Sequence, residues 1–535
     1  MSGAEDSKHK IIVGGKLVDR RTFLKMTGAT AGSLLLAGSF PGMLEATPGK
    51  GEYLFEKVVL CRGGEPQTMD ATISVDRVAL IMYLHIYDRL VTRDRKTMKL
   101  IPQMATGWEI VDNRHWRFTL KKGIKFHDGT EFDADSVKFT MDRIMDPKVA
   151  SPGAASYRGL KETAMIDKYT VEFRFDKFFP ILTAQLYIVF WPVSRAYYQG
   201  KSQDYLATHP MGTGMYKFVE WVRGDKVILE ANPNYWGEPK PPSKYLIWRF
   251  IPEVATKVAA LKTGELDIAA NIPPEEIPAL EKSPDTKITT SPTSRVMFAY
   301  LRTDRDSPLR NKKVRQAFNY AVDKEELCKS IAMGYEKPLQ GQPVTDMHFG
   351  FNPNVKIYPY NPDKAKQLLR EAGYPNGFKL TMGGPVGRFL KDQEMGTAVA
   401  GYLREIGINV DYRPEPWSIY YPKWKRKDPP WDMVYHGWGG YSTFDPEGTL
   451  PYLIETGGPQ SRYSNKEVDA LIKAGREEAD VKKREKIYHK MMEILHDDPP
   501  WIYLTTHVDI HGYRSRLTFS ARPDELMSAR DIGKP

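Results

Sequence analysis

Residues Phe378–Arg413 read FKLTMGGPVGRFLKDQEMGTAVAGYLREIGINVDYR, and this stretch decides the fold. It opens as a strand, Phe378–Met382, and runs into a glycine-rich loop, Gly383–Arg388. A helix follows with Met395, Val399, Tyr402, Leu403 and Ile406 on one face, and Ile408–Arg413 is a strand again. Such a β-loop-α-β unit makes its strands parallel neighbours, because the crossover returns the chain to the same end of the sheet. The loop then lies at the carboxyl ends of the strands, the edge of an α/β sheet where ligands are held. Gly383, Gly384 and Gly387 would let that loop's backbone approach a ligand. Free N–H groups at the following helix start would favour an anion.

The same alphabet continues outward. Tyr53–Gly63 opens with a strand, and His115–Phe132 reads as two strands joined at Asp128-Gly129. Asp133 caps a helix with Val137, Phe139 and Met141 among its apolar positions. Lys168–Phe175 alternates as a half-buried strand, and Gly212–Trp236 reads as a hairpin bent at Gly224-Asp225. Downstream the chain is more helical. Two helices occupy Asn311–Val322 and Asp323–Met333, and another runs from Asn361-Pro362 to Gly373. Ser464–Glu467 forms a capping box for a further helix, and Val481–His496 is amphipathic.

A chain of 535 residues exceeds one ordinary core, so two or three domains are expected. The 77 basic and 67 acidic residues give a net charge of +10, but the basic residues are dispersed among acidic neighbours. No stripe of Lys and Arg interleaved with rings points to nucleic acid. Cys61 and Cys328 stand far apart and read as buried apolar residues, without disulfide framework or metal-binding pair. Near the N-terminus, Asp19–Met26 (DRRTFLKM) resembles a twin-arginine export signal, with paired Arg20 and Arg21. The uncharged stretch Met26–Phe40 that follows is too short to span a bilayer, and residues 1–46 are expected to be a signal peptide. A plain secretory signal or an uncleaved anchor is the alternative. Phe178–Ser194, apolar but interrupted by Pro180 and Pro192, reads as core.

His436–Gly448 (HGWGGYSTFDPEG) mixes rings with three glycines before an Asp-Pro, which suits neither a long strand nor a helix. Aromatic surface mounted in this way suits a stacking wall.

Four segments resemble the solute-binding proteins of peptide/nickel-type ABC transporters, family 5, such as the dipeptide and oligopeptide binders. They are IPQMATGWEIVDNRHWRFTLKKGIKFHDGTEFDADSVKFTMDRI (Ile101–Ile144), GTGMYKFVEWVRGDKVILEANPNYWGEPKP (Gly212–Pro241), NKKVRQAFNYAVDKEEL (Asn311–Leu327) and YNPDKAKQLLREAGYPNGF (Tyr360–Phe378). The resemblance implies a periplasmic-binding-protein-like α/β fold of the large type, with an extra subdomain in the first of two lobes. It implies lobe I over 50–290 and 505–535, lobe II over 291–504, and a ligand delivered to an ABC permease complex in the inner membrane. It further implies that Arg388, in Pro385-Val386-Gly387-Arg388, takes a ligand carboxylate, for which a guanidinium fork is suited. The peptide binders' amine-anchoring aspartate falls here at Tyr441 or Ser442, neither acidic. A buried ammonium without a counter-charge costs several kcal/mol. An anionic or neutral polar solute is therefore expected over a free zwitterionic peptide, unless Asp445 turns inward. Trp417, Trp438, Glu65 and Gln67 complete the expected ligand-binding set.

Metalloprotease, nucleophile-elbow and phosphate-loop patterns are absent. The expected protein is a monomeric periplasmic receptor for a peptide-like or anionic small molecule, with no catalytic residues, cofactor, metal or nucleic-acid partner. A nickel-chelate or oligosaccharide binder is the alternative within the family, and a secreted hydrolase a remote one.

Overall fold

The computed structural model describes residues 10–13, 16–19, 53–62, 64–112, 114–440 and 443–535. The chain divides into a unit of residues 1–51 and a unit of residues 52–535. In the first, Lys10–Val13 pairs antiparallel with Lys16–Asp19. The Arg20-Arg21 pair and the apolar stretch that follows it lie outside the described residues.

The larger unit is built on an eleven-stranded mixed sheet. Its main strands are β1 (Phe55–Cys61), β2 (Tyr216–Val222), β3 (Lys226–Ala231), β4 (Ser243–Arg249), β5 (Ile268–Ala270), β6 (Thr286–Leu301), β7 (Lys379–Val386), β8 (Asn409–Pro416), β9 (Met433–Trp438) and β10 (Trp501–Arg514). Their spatial order is β2-β3-β4-β1-β5-β10-β6-β9-β7-β8. The long strands β6 and β10 pair antiparallel from Thr286↔Arg514 to Tyr300↔Trp501 and so belong to both lobes. Their register slips between Pro292 and Val296. Pro292 has no N–H to give the ladder, so a break in pairing is what the sequence dictates there.

Each lobe has its own apolar core. The first gathers Val58 and Leu60 of β1, most of α1 (Arg77–Ile86), Met141 of α2 (Ala134–Met145), Leu186 of α3 (Leu182–Val189), and Leu517 and Phe519 near the C-terminus. A separate four-stranded sheet, made of Ala105–Asp112, His115–Leu120, Leu160–Asp167 and Thr170–Phe175, is the extra subdomain of this lobe. The second lobe packs Leu380 and Met382 of β7 and Val410 of β8 against Val399 and Leu403 of α4 (Asp392–Glu405). On the other face, Trp424 of α5 (Trp417–Trp424) and Trp431 meet Val468 of α6 (Lys466–Glu477) and Tyr488 of α7 (Val481–Asp497). Cys61 and Cys328 are buried and unbridged.

Several expectations need correction. Gly383–Val386 is strand, part of β7, so the loop is only Gly387–Lys391. Gly383 and Gly384 serve packing instead of ligand approach: a Cβ would strike the Trp431 ring at the first and come within 2.6 Å of Tyr412 Oη at the second. The second strand expected within His115–Phe132 is a single bridge, Lys125↔Glu131, around the Asp128-Gly129 turn. The Ser464–Glu467 capping box does not form, because Asn465 is the cap and accepts from Glu467 N and Val468 N. α3, within the apolar Phe178–Ser194 stretch, is buried at all eight positions. No helix among the described residues is long and apolar enough to cross a membrane.

Candidate functional site

Three adjacent strands deliver the second lobe's part of the site. β7 runs parallel to both β8 and β9, so Val386, Pro416 and Trp438 end at one edge of the sheet. Arg388 lies two residues beyond β7, Trp417 follows β8 directly, and Trp438 closes β9. β6 runs antiparallel beside β9 with Val296 opposite Trp438, which places Arg295 at the same edge.

Arg388 is held by packing and by its backbone. Its guanidinium lies 5.0 Å from the Phe389 ring centre and 5.4 Å from that of Trp417, within cation–π reach. Among the described residues its side chain has no carboxylate or carbonyl partner. The carboxylate of Asp392 accepts from Gly387 N (3.1 Å), Arg388 N (2.8 Å) and Phe389 N (3.0 Å). Asp392, at the first position of α4, thus takes the N–H groups of the loop that precedes the helix. Burial, reinforced by the charges of Arg295, Arg62 and Arg77, pushes the Arg388 pKa down to about 10.

Around it stands a wall of rings. Trp417 stacks on Tyr421 at 4.7 Å and on His436 at 6.0 Å, and His436 stacks on Trp424 at 4.2 Å. Trp438 lies flat against Tyr452 at 4.9 Å and donates to Gly448 O. His436 is buried, shares a hydrogen bond with Tyr420 Oη at 2.8 Å, and has its pKa pushed well down by burial, so its ring is neutral.

The facing side brings charges that sequence reasoning missed. Glu525 accepts from Arg295 Nε (2.9 Å) and Nη2 (2.6 Å), and Arg77 of α1 approaches it to 3.9 Å. The Arg295 guanidinium lies 5.4 Å from the Phe389 ring, on which Arg388 also rests. Arg62, just past β1, stands 3.5 Å from Asp509. Burial alone would raise the Glu525 pKa, but Arg295 and Arg77 outweigh it and hold it down to about 2. Glu525 adopts φ +58, and two other non-glycine residues at the lobe junction, Lys391 and Phe444, are also left-handed. Such strain persists only where surrounding contacts over-determine the backbone. No local pattern marks Arg62, Arg77, Arg295 or Glu525, which lie up to 463 positions apart and meet only through the fold.

The remaining expected residues separate from this group. Asp445 does not face it: its carboxylate forms a bidentate pair with Arg484 at 2.7 and 2.8 Å and caps the turn at Glu447 N. Glu65 accepts from Trp221 Nε1 (2.9 Å) and Gly224 N (3.1 Å), tying its loop to the β2–β3 hairpin. Gln67 is exposed on that loop. Tyr441 and Ser442 lie outside the described residues.

Contacts join the lobes around the site. Lys391 pairs with Glu275 at 2.6 Å, Lys177 with Glu477 at 2.8 Å, and Arg93 Nη2 donates to Thr443 O at 2.9 Å. A cavity of about 1040 Å³ in the first lobe is also rich in arginine. There Arg522 is paired with Asp524, Arg530 with Asp88 and Arg95 with Asp531, while Arg89 donates to Tyr187 O and Arg93 to Met98 O. Among the described residues no group of three or more His, Cys, Asp or Glu is arranged to hold a metal.

Comparison with known proteins agrees with this geometry. Residues 99–460 match the family model described as bacterial extracellular solute-binding proteins, family 5 middle. The glutathione-binding protein of Pectobacterium atrosepticum is 28% identical over 515 residues, covering 93% of this chain and 97% of the relative. The Helicobacter pylori periplasmic binding protein DppA, solved with a bound peptide, superposes with a TM-score of 0.78 at 28% identity, covering 90% of this chain and 98% of its own. A binding protein of A. tumefaciens R10, solved with agropinic acid, shares the fold at a TM-score of 0.77 and 24% identity. With two lobes on one sheet and a charged, ring-lined site where they meet, the chain belongs to the bacterial extracellular solute-binding proteins of family 5.

Proposed function

We propose that this protein is the periplasmic receptor of an ABC importer, closing its lobes on a peptide-like, anionic solute and presenting the closed form to the permease. The observation that carries this reading is Arg388, half-buried against Phe389 and Trp417 without an acidic partner among the described residues. A guanidinium partly withdrawn from water is favoured by an anionic partner, and that partner is assigned to the ligand. Trp417 and Trp438 supply the flat wall for its body. The glutathione-binding and peptide-bound relatives support a peptide-like solute.

The division of the chain follows from the same reading: 50–290 with 505–535 in lobe I and 291–504 in lobe II, hinged where β6 slips at Pro292–Val296. Hinge closure of this kind is a few strand residues absorbing backbone rotation. Small-angle scattering tests the mechanism, with compaction expected on adding glutathione or an acidic dipeptide that also raises the melting temperature. A bound ligand that leaves the radius of gyration unchanged overturns closure. Export is assigned to the twin-arginine route, and replacing Arg20 and Arg21 by Lys is expected to leave the precursor in the cytoplasm.

A further inference from the structure

The loop that follows Trp438 is held from both lobes. On its own side, Thr443 Oγ1 donates to Gly440 O at 3.0 Å and Asp445 is fixed by Arg484. Trp438 Nε1 reaches across the loop to Gly448 O, so the ring wall and the turn at Pro446–Gly448 form one piece. Phe444, in the middle, adopts φ +56, and its carbonyl accepts from Phe349 N at 3.0 Å. A left-handed phenylalanine is strained and stays so only where contacts hold it.

The contact from the first lobe is Arg93, the last residue of the strand Val91–Arg93. Its Nη1 donates to Met98 O in its own hairpin at 2.6 Å, and its Nη2 donates across to Thr443 O at 2.9 Å. The guanidinium lies against two rings, one from each lobe: Tyr187 of α3 at 5.0 Å and Phe444 at 4.6 Å. Tyr187 is fixed in turn, with Arg89 at 4.1 Å from its ring centre and its hydroxyl donating to Asp524, which Arg522 holds. Met98, Tyr187, Arg89 and Asp524 all belong to the first lobe, so that lobe presents Arg93 already oriented. Arg93 is only 6% exposed, so its contacts with Thr443 and Phe444 are made out of water, where they are strongest. The Lys177–Glu477 pair between the lobes is exposed by comparison.

We propose that Arg93 is a positioning residue that couples ligand capture to lobe closure. On closing, it clasps Thr443 O and the Phe444 ring and so fixes the loop that carries Trp438 against the first lobe. This rests on the receptor reading above and deepens it. The solute stacks on one end of the loop while Arg93 grips the other, so each stabilises the state that the other needs. Opening exchanges the Thr443 and Phe444 contacts for water and leaves Met98 O and Tyr187 in place, which makes the clasp reversible. Its contribution to affinity is blind to ligand chemistry, unlike that of Arg388.

Cross-linking reads closure directly. Lys177 and Glu477 are exposed and meet across the lobes at 2.8 Å, and both native cysteines are buried. Lys177→Cys with Glu477→Cys therefore gives a thiol pair that a short bismaleimide joins when the lobes meet. In that background, Arg93→Ala is expected to lower the ligand-free cross-linking rate about tenfold, the size of one desolvated cation–π contact, and to weaken glutathione and Ala-Glu by a similar factor. Arg93→Lys, which keeps a cation and a donor, should recover part of both. Phe444→Leu, which keeps an apolar side chain and loses the ring, should act in the same direction if Arg93→Ala folds poorly. An unchanged cross-linking rate in Arg93→Ala and Phe444→Leu overturns the proposal, whether or not affinity falls. If neither probe binds, the peptide-like reading falls while the ligand-free rate still decides on Arg93. If the background does not cross-link with or without a probe, lobe closure falls and the proposal with it.

Discussion

Arg388 and Asp445 look alike in the sequence, one charge each beside a proline or glycine, yet they do different work. Arg388 lies against two rings and has no acidic partner among the described residues, so Arg388→Ala should weaken anionic ligands by about 1.5–3 kcal/mol in calorimetry while leaving the melting temperature nearly unchanged. Asp445 is locked to Arg484 with both side chains largely buried, so Asp445→Ala strands a cation and should lower stability by about 3–5 kcal/mol in denaturant unfolding. Glu525 sets an acid limit. Its pKa is held to about 2 in the fold against an ordinary 4.5, so its contribution is complete above pH 4.5 and is lost as pH falls towards 2. In Glu525→Gln, the loss of thermal stability over that acid window should be shallower than in the parent. At this scale the placing of Arg388, Trp417 and Trp438 at one sheet edge follows from where the parallel strands end. The roles of Asp445 and Glu65 were not, since their partners Arg484 and Trp221 are remote in sequence.

The loop after β7 shows how an element presents a residue. Asp392 takes three consecutive N–H groups, fixing the loop that carries Arg388 without touching the anion site itself. Asp392→Ala should therefore weaken ligand binding through a misplaced Arg388, and Asp392→Asn should restore part of it, as read by calorimetry alongside the melting temperature. The strand before the loop tolerates no side chain at Gly383, where Trp431 fills the space. Gly383→Ala is expected to cost about 1–3 kcal/mol in unfolding free energy, the range for overpacking a filled core. The alternation of strand and helix, with the caps at Asp133 and Asn361, was readable because each is a local hydrogen-bond pattern. The extent of β7 was not, since glycines that suggest a loop are retained here for close packing with Trp431 and Tyr412.

Across the whole molecule, the proposed closure is expected to depend more on Arg388 than on the exposed ion pairs between the lobes. The Lys391–Glu275 pair bridges the lobes but is partly exposed, where such pairs are worth about 0–1 kcal/mol. Lys391→Ala should change ligand affinity by less than about fivefold, far below the effect of removing Arg388. The sequence by itself determined the family and the two-lobed α/β plan. Those follow from hydrophobic period, turn residues and motif order, all of which act over a few to a few tens of residues. Only the tertiary structure decided which charges meet. Arg62, Arg77, Arg295 and Glu525 are brought together by strands β6 and β10 crossing between lobes, and electrostatic balance depends on distance in space, which no local pattern records.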